Sequence, residues 1–203
     1  MSQVPGDDLE DALPKMSDDE VKSVVKELAG HLQQLRRLKR EDDNTGGCNS
    51  SNKSSPSIGG VGGTRGFDNR LGSSPWGPFA TTAEFHTYVR FGEPLEYWGR
   101  APDVVAVHGK AEGSYAVKFT HADIAPRNVR VRGGRITGII DWEFAGWYPE
   151  YWEYTRMFYP GERPYLKSWF DAIEEEAGIE KYKDERKAEE AIWLRAGPFG
   201  YER

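Results

Sequence analysis

The feature that most constrains this chain is a pair of short segments, residues 119–128 and 139–143, that carry polar residues at fixed spacing. The first reads Phe-Thr-His-Ala-Asp-Ile-Ala-Pro-Arg-Asn and the second reads Ile-Ile-Asp-Trp-Glu. Together the two segments supply four polar residues of interest: His121, Asp123, Asn128 and Asp141. A His-x-Asp, an Asn five residues after that Asp and a second Asp further along are the residue types of a phosphoryl-transfer site.

Between these segments the sequence predicts a β-hairpin. Two strand-like stretches flank Gly133-Gly134, a strong signal for a two-residue turn. If the turn is Gly133-Gly134, Asn128 lies opposite Ile139, and Asp141 stands two residues further on the same face. Such diagonal neighbours lie roughly 7–8 Å apart at the backbone. We therefore expect the Asn128 and Asp141 side chains to converge on one cation.

These residue types suit a magnesium site. Magnesium takes oxygen ligands at about 2.0–2.1 Å and is typically held by one or two carboxylates together with substrate phosphates. Asn128 and Asp141 are the predicted metal ligands, and Asp123 beside them is the predicted acceptor for a substrate hydroxyl proton. His121 is interpreted as structural support of the loop. Glu143, two residues after Asp141, is near enough to touch the metal or the substrate. No residue is assigned to nucleotide binding.

At these residues the chain resembles the aminoglycoside phosphotransferase and choline kinase superfamily, most closely its large fungal branch. The similarity is strongest across FTHADIAPRNVRV and GRITGIIDWEFAGWYPEYWEYTRM, and weaker across VPGDDLEDALPKMS, IGG and WGPFATTAEFHTYV, so that it spans most of residues 4–159. The resemblance implies Asp123 as catalytic base, Asn128 and Asp141 as Mg²⁺ ligands, ATP as phosphoryl donor and a small-molecule hydroxyl as acceptor. Many relatives have Gly where this chain has Ala122.

The chain departs from these relatives at its start. They begin with a small ATP-binding lobe, whereas Met1 stands about where that lobe should already have ended. We therefore expect residues 1–203 to form one large lobe of a protein kinase-like fold, α+β and mostly helical, with the small ATP-binding lobe missing. Residues 119–143 would be its catalytic and metal-binding core, and residues 44–75 a flexible loop insertion. Alone, this chain is expected to bind Mg-ATP weakly or undetectably and to transfer phosphate inefficiently.

The net charge, the cysteine count and the apolar runs of the chain limit which partners and which cellular compartment we expect. The 27 basic and 33 acidic residues give a formal charge of −6, which argues against nucleic acid as a partner. An acidic balance suits a cationic substrate, but it equally suits an ordinary soluble protein. The single cysteine, Cys48, excludes an internal disulfide. No apolar run approaches the roughly 20 residues that span a bilayer, and no signal peptide is visible. We expect a cytoplasmic protein, and its oligomeric state stays open.

Capping and periodicity signals predict the remaining elements. Ser17-Asp-Asp-Glu20 is a capping box that opens a long amphipathic helix. Further predicted elements are helices over Ala83–Val89, Pro102–His108, Tyr165–Ala177 and Lys181 to about Arg195, and a strand over Tyr115–Phe119. The aromatic stretch from Trp142 to Tyr154 favours core packing over an ammonium-binding surface lined by Glu143, Glu150 and Glu153.

Two other classes of function remain as alternatives. The chain could be a catalytically inactive fragment or binding module of the same family, because the site residues are intact while the small lobe is missing. It could also be a metal-dependent hydrolase that uses His121 and Asp123 as ligands. The absence of further histidines nearby makes this hydrolase reading the weaker one.

Overall fold

The computed structural model describes residues 4–40, 58–68, 71–72, 74–159, 161 and 163–196. Its helices in these ranges are α1 (Leu9–Ala12), α2 (Asp18–Leu35), α3 (Thr82–Val89), α4 (Pro102–His108), α5 (Trp152–Met157), α6 (Lys167–Glu175) and α7 (Lys183–Ala196). Its strands are β1 (Asp7–Asp8), β2 (Gly59–Gly60), β3 (Val117–Thr120), β4 (Val129–Arg132), β5 (Arg135–Ile139) and β6 (Gly146–Pro149). This is a mixed, largely helical architecture with small sheets.

The strands form two antiparallel three-stranded sheets. Their orders are β1-β4-β5 and β2-β6-β3. The chain therefore crosses between the sheets three times: from β1 to β2, from β3 to β4 and from β5 to β6. The polar segments predicted from the sequence lie at the last two crossings, and the pairing of β4 with β5 and of β3 with β6 brings these two crossings to one region.

Helix α2 begins at the predicted capping box. The Ser17 side chain accepts the Glu20 N–H, and the Glu20 carboxylate accepts the Ser17 N–H at 2.8 Å. The buried stripe of α2 consists of Val21, Val24, Val25, Leu28, Ala29 and Leu32. The helix ends at Leu35, and Leu38, three residues further on, is 50% exposed. The stripe packs against α6, while α4 packs against α7.

The other predicted elements are confirmed with shifted ends. Helix α4 has the predicted bounds, and Thr81 caps α3 by accepting the Glu84 N–H. The strand predicted over Tyr115–Phe119 begins two residues later, at Val117. The first turn predicted for α6 is a 3₁₀ turn over Pro164–Leu166. Within the described residues, no helix is both long and apolar enough to cross a membrane.

The loop predicted over residues 44–75 is not irregular throughout. Residues 44–57 lie outside the described residues. After them, Ile58 is fully buried and bridges to Phe79, and β2 pairs with β6. No period-2 pattern marks β2, because two glycines supply the strand and its partner β6 lies more than eighty residues away.

The core next to β6 is aromatic. Most rings of the 142–154 stretch are buried, as predicted, and Tyr148 and Trp152 stack on each other with centroids 5.6 Å apart. Phe85 of α3 meets Trp152 edge-on at 4.9 Å. These contacts fix α5 immediately behind the β3–β4 crossing.

Candidate active site

The hairpin that carries the site turns where the sequence predicted. Gly133 and Gly134 have φ of 58° and 73°, the left-handed values that a type I′ turn requires and that glycine adopts at little cost. Arg132 pairs with Arg135, also as predicted. The chain therefore reverses direction within two residues and returns toward the catalytic segment.

Beyond the turn, the predicted register is wrong by one residue. A bulge between Arg130 and Val131 shifts the pairing, so that Ile139 lies opposite Val129 rather than Asn128. The Asn128 carbonyl instead accepts the Ile140 N–H at 2.9 Å. An extra residue in one strand of an antiparallel pair causes such a shift, and nothing in the residue pattern had marked it.

Asp141 directly follows the end of this paired segment. Its φ is 64°, which turns the chain out of the strand direction. A non-glycine residue in the left-handed region is uncommon and is concentrated at functional sites. Asp141 is exposed, and its carboxylate has no hydrogen bond or ion pair within the part of the chain that the structure describes. It is therefore available as a ligand.

The Asn128 side chain has a defined orientation. Its amide nitrogen donates to the Asp123 carbonyl at 2.8 Å and to the Asp123 Oδ2 at 2.7 Å. Because both partners are acceptors, the nitrogen must face Asp123 and the Asn128 Oδ1 must point away. Among the described residues nothing donates to that oxygen, although Asn128 is 4% exposed.

Asn128 and Asp141 fit a magnesium ion by the chemistry of their donors. One amide oxygen and one carboxylate, both without competing partners among the described residues, are hard ligands of the kind that Mg²⁺ takes alongside phosphate oxygens and water. No group of three or more His, Cys, Asp or Glu side chains with metal-binding geometry occurs in the described ranges. A site here would thus draw its remaining ligands from substrate or solvent.

Asp123 is buried and strongly hydrogen-bonded. It is 6% exposed, and both of its carboxylate oxygens lie within 2.8 Å of the Arg127 guanidinium. Arg127 was not singled out from the sequence. Its position four residues after Asp123 was an available signal, because a long cationic side chain so close in sequence can reach the carboxylate where the loop bends back.

His121 has the structural role that the sequence suggested. Its Nδ1 accepts the Asp123 N–H at 3.2 Å, and its Nε2 lies 2.9 Å from the Ile140 carbonyl. Because Nδ1 accepts, Nε2 carries the hydrogen and donates it. The ring therefore joins the candidate catalytic loop, residues 121–128, to the end of β5 beside Asp141. Both ring nitrogens are engaged within the scaffold, which argues against His121 as a metal ligand of a hydrolase.

Glu153 supports the same loop from behind. Its carboxylate accepts the N–H groups of His121 at 2.7 Å and Ala122 at 3.0 Å. Burial raises the pKa of Glu153, while the nearby His121 ring and these backbone N–H groups oppose the rise. The ammonium-binding alternative for this stretch is contradicted at Glu153, which is 3% exposed. The Glu150 side chain also bonds the backbone, at Ala116 N–H.

The backbone at Ala122 has a conformation that glycine adopts more easily than alanine. Its φ is 66° and its side chain is fully buried. The left-handed conformation costs an L-residue about 1–2 kcal/mol relative to the right-handed one. The two bonds to Glu153 hold the loop in this conformation, so the methyl group is tolerated.

Trp142 and Glu143 complete the exposed side of the site. The Trp142 indole donates to the Ile139 carbonyl at 2.8 Å, and its ring packs edge-on against His121 at 4.5 Å. Glu143 is exposed and has no polar partner within the described ranges. Its assignment to substrate binding stays a prediction.

A model of the phosphotransferase enzyme family, APH, matches residues 1–191. The chain therefore belongs to this family. It is similar in fold to crystal structures of the aminoglycoside phosphotransferase APH(4)-Ia: a thermostable mutant in apo form (17% identity, TM-score 0.55), a thermostable mutant in ternary complex with ADP and hygromycin B (18%, 0.58), and APH(4)-Ia itself (16%, 0.56). Each match covers 96% of this chain and 61% of the other, so the chain spans about three-fifths of that protein's length. Curated proteins include no significant match.

Proposed function

We propose that this chain supplies the base and the metal ligands of an ATP-dependent phosphotransferase that acts on a small-molecule hydroxyl. The observation that carries the proposal is the pairing of a buried carboxylate, Asp123, with an Asn128 amide whose oxygen points away from it. Membership of the phosphotransferase family and the ADP complex of a protein of similar fold support the nucleotide as donor.

Each residue has a role in the transfer. Asp123 would accept the proton of the acceptor hydroxyl as its oxygen attacks the γ-phosphorus and the bond to ADP breaks. Asn128 and Asp141 would hold Mg²⁺. The ion, when bound, would neutralise charge on the phosphates. His121 and Glu153 fix the loop so that Asp123 and Asn128 keep their mutual orientation. Glu143, exposed beside Asp141, would meet the acceptor, and its carboxylate would favour a cationic one.

A second candidate, a binding module without turnover, has one observation in its favour. The Asp123 carboxylate is bridged by Arg127, so the base is occupied in this state. Positioning contributes roughly 7–11 kcal/mol to such reactions, and only when the reacting groups are held in line. The purified chain is accordingly expected to bind Mg-ATP weakly and to show little or no transfer.

A metal-binding experiment distinguishes a working metal site from a site that only resembles that of a phosphotransferase. Mn²⁺ in the presence of ATP is expected to broaden the NMR signals of Asn128 and Asp141 before others, and the method follows affinities in the millimolar range. Asp141→Ala should weaken Mn²⁺ binding by about 10–100-fold, an order typical of metal-site lesions. With ADP in place of ATP, Asp123→Asn and the exposed control Asp103→Asn should leave it nearly unchanged. Broadening centred elsewhere would overturn the metal assignment.

A further inference from the structure

The closest ion pair at the site joins Arg127 to Asp123. One guanidinium nitrogen of Arg127 lies 2.8 Å from the Asp123 Oδ1 and 2.6 Å from the Oδ2. The Arg127 side chain is 52% exposed, whereas the Asp123 side chain is 8% exposed. Among the described residues, Asp123 is the only acceptor for this guanidinium.

This ion pair is poorly suited to a purely structural role. A pair with one half-exposed partner contributes little to stability, because water competes for the cation and ordering the long side chain has an entropic cost. The loop is already held by bonds that are buried: His121 to Asp123, Asn128 to Asp123, and Glu153 to two backbone N–H groups. The half-exposed Arg127 guanidinium is therefore not needed to hold Asp123 in place.

The contact also conflicts with the proposed role of Asp123. A carboxylate that is to accept a hydroxyl proton needs a lone pair directed at that hydroxyl. Here Arg127 spans both carboxylate oxygens, and the Asn128 amide nitrogen occupies Oδ2 as well. Arg127 thus competes with the acceptor hydroxyl for the Asp123 carboxylate, and its departure would give that hydroxyl better access to the Oδ1.

We propose that Arg127 is a phosphoryl-binding residue that moves from Asp123 to the γ-phosphoryl group of bound Mg-ATP; this inference rests on the proposed function. The planar guanidinium fork matches phosphate oxygens as well as carboxylate oxygens. In the transfer, the acceptor hydroxyl stands between the base and the phosphorus, so a cation beside Asp123 is also beside the transferring group. Arg127 takes no covalent part. Its departure opens Asp123 only when a phosphoryl group is present.

The test compares Mg-ATP with Mg-ADP, because only ATP carries the γ-phosphoryl group. Both nucleotides are titrated into the 203-residue chain and followed by NMR. The wild type should prefer Mg-ATP, and Arg127→Gln should remove most of that preference while leaving the affinity for Mg-ADP unchanged. Arg127→Lys should retain part of it, since the charge remains without the fork. The control Arg132→Gln removes an exposed arginine of the same hairpin and should change neither affinity.

Asp123→Asn provides an independent check. Weakening the resting ion pair should release Arg127, so the preference for Mg-ATP should rise by roughly tenfold, the scale of one charge-assisted hydrogen bond. Adding Arg127→Gln to Asp123→Asn should abolish that rise. If Arg127→Gln keeps the full preference while Asp141→Ala loses nucleotide binding, the metal site stands and the inference about Arg127 is wrong. If neither nucleotide shifts any signal of the wild type even at the millimolar concentrations that NMR can follow, the inference and the proposed function are both overturned.

Discussion

The buried carboxylate of Glu153 accepts the main-chain N–H of His121 at 2.7 Å, and this bond ties helix α5 to the catalytic loop. The same carboxylate accepts the Ala122 N–H. Two main-chain donors at the sharpest point of the loop are thereby satisfied by a side chain from an element thirty residues later in the sequence. The position of Asp123 depends on this connection as much as on the strands that flank its loop.

Removing the Glu153 carboxylate is expected to loosen the loop. Glu153→Ala leaves two buried N–H groups without partners, at a cost of about 1–3 kcal/mol each. Urea unfolding should therefore show a loss of about 2–5 kcal/mol, and amide exchange at His121 and Ala122 should accelerate. The matched variant Glu150→Ala removes a carboxylate that bonds one more accessible N–H, and should cost less than about 1 kcal/mol. Equal losses in the two variants would contradict the anchoring role.

The left-handed conformation at Ala122 makes this position intolerant of branching. Ala122→Val should destabilise the fold by at least about 1–3 kcal/mol, because a β-branched residue fits poorly at φ 66° and the site is fully buried. Ala122→Gly should be nearly neutral, since relief of strain is offset by the lost methyl contact and by greater freedom of the unfolded chain. Ala125, with φ −141°, is the control: valine prefers this extended backbone. The unfolding midpoints of the three variants measure these effects. An unchanged midpoint for Ala122→Val would contradict the strained geometry.

Glycine-to-alanine changes are expected to have opposite signs at the hairpin and in α2. An added methyl at Gly133 or Gly134 meets no atom within 4 Å, but the positive φ makes alanine unfavourable by about 1 kcal/mol. Gly30 lies inside α2, also with nothing within 4 Å of an added methyl, so Gly30→Ala should stabilise by about 0.5–1 kcal/mol. Gly133→Asn should cost less than Gly133→Ala, because asparagine tolerates the left-handed region. Thermal unfolding measures all three changes, and a stabilising Gly133→Ala would refute the type I′ turn.

The buried Glu189 of α7 is expected to make stability depend on pH. Its oxygens lie 3.5 Å from His108 and 3.8 Å from Arg156, and burial raises its pKa to about 7 against the opposing charge of Arg156. Since the folded state keeps this proton above the ordinary pKa of 4.5, its stabilising contribution is lost as pH rises from about 4.5 through 7. The slope is at most about 1.4 kcal/mol per pH unit.

Glu189→Gln should therefore gain stability relative to the wild type as pH rises through that window. Burial lowers the pKa of His86 to about 2 and of His108 to about 3, so their contributions have the opposite sign. Both histidines remain in the variant, and the difference between the two proteins isolates Glu189. Asp184→Asn, an exposed change on the same helix, should show no such trend. A constant difference between Glu189→Gln and the wild type from pH 4 to 8 would show that Glu189 titrates normally.

The features that the sequence by itself determined are those that depend on residues close together in the chain. The Ser17 capping box, the turn at Gly133-Gly134, helix α4 and the supporting role of His121 each follow from residues near one another in the chain. Their signals do not depend on a distant partner, so they could be predicted. The proposed site residues come from the same kind of short segment.

What tertiary structure decided involves partners far apart in sequence. Strand β2 exists because β6 offers it hydrogen bonds, and two glycines alone carry no such signal. The bulge that places Ile139 opposite Val129 depends on how the hairpin packs, and residue type does not encode it. The anchoring of Glu153 beneath the catalytic loop requires α5 to be docked first by its aromatic contacts. Burial makes the Glu153 carboxylate a support for the Asp123 loop, because a buried carboxylate must be satisfied by the donors that enclose it.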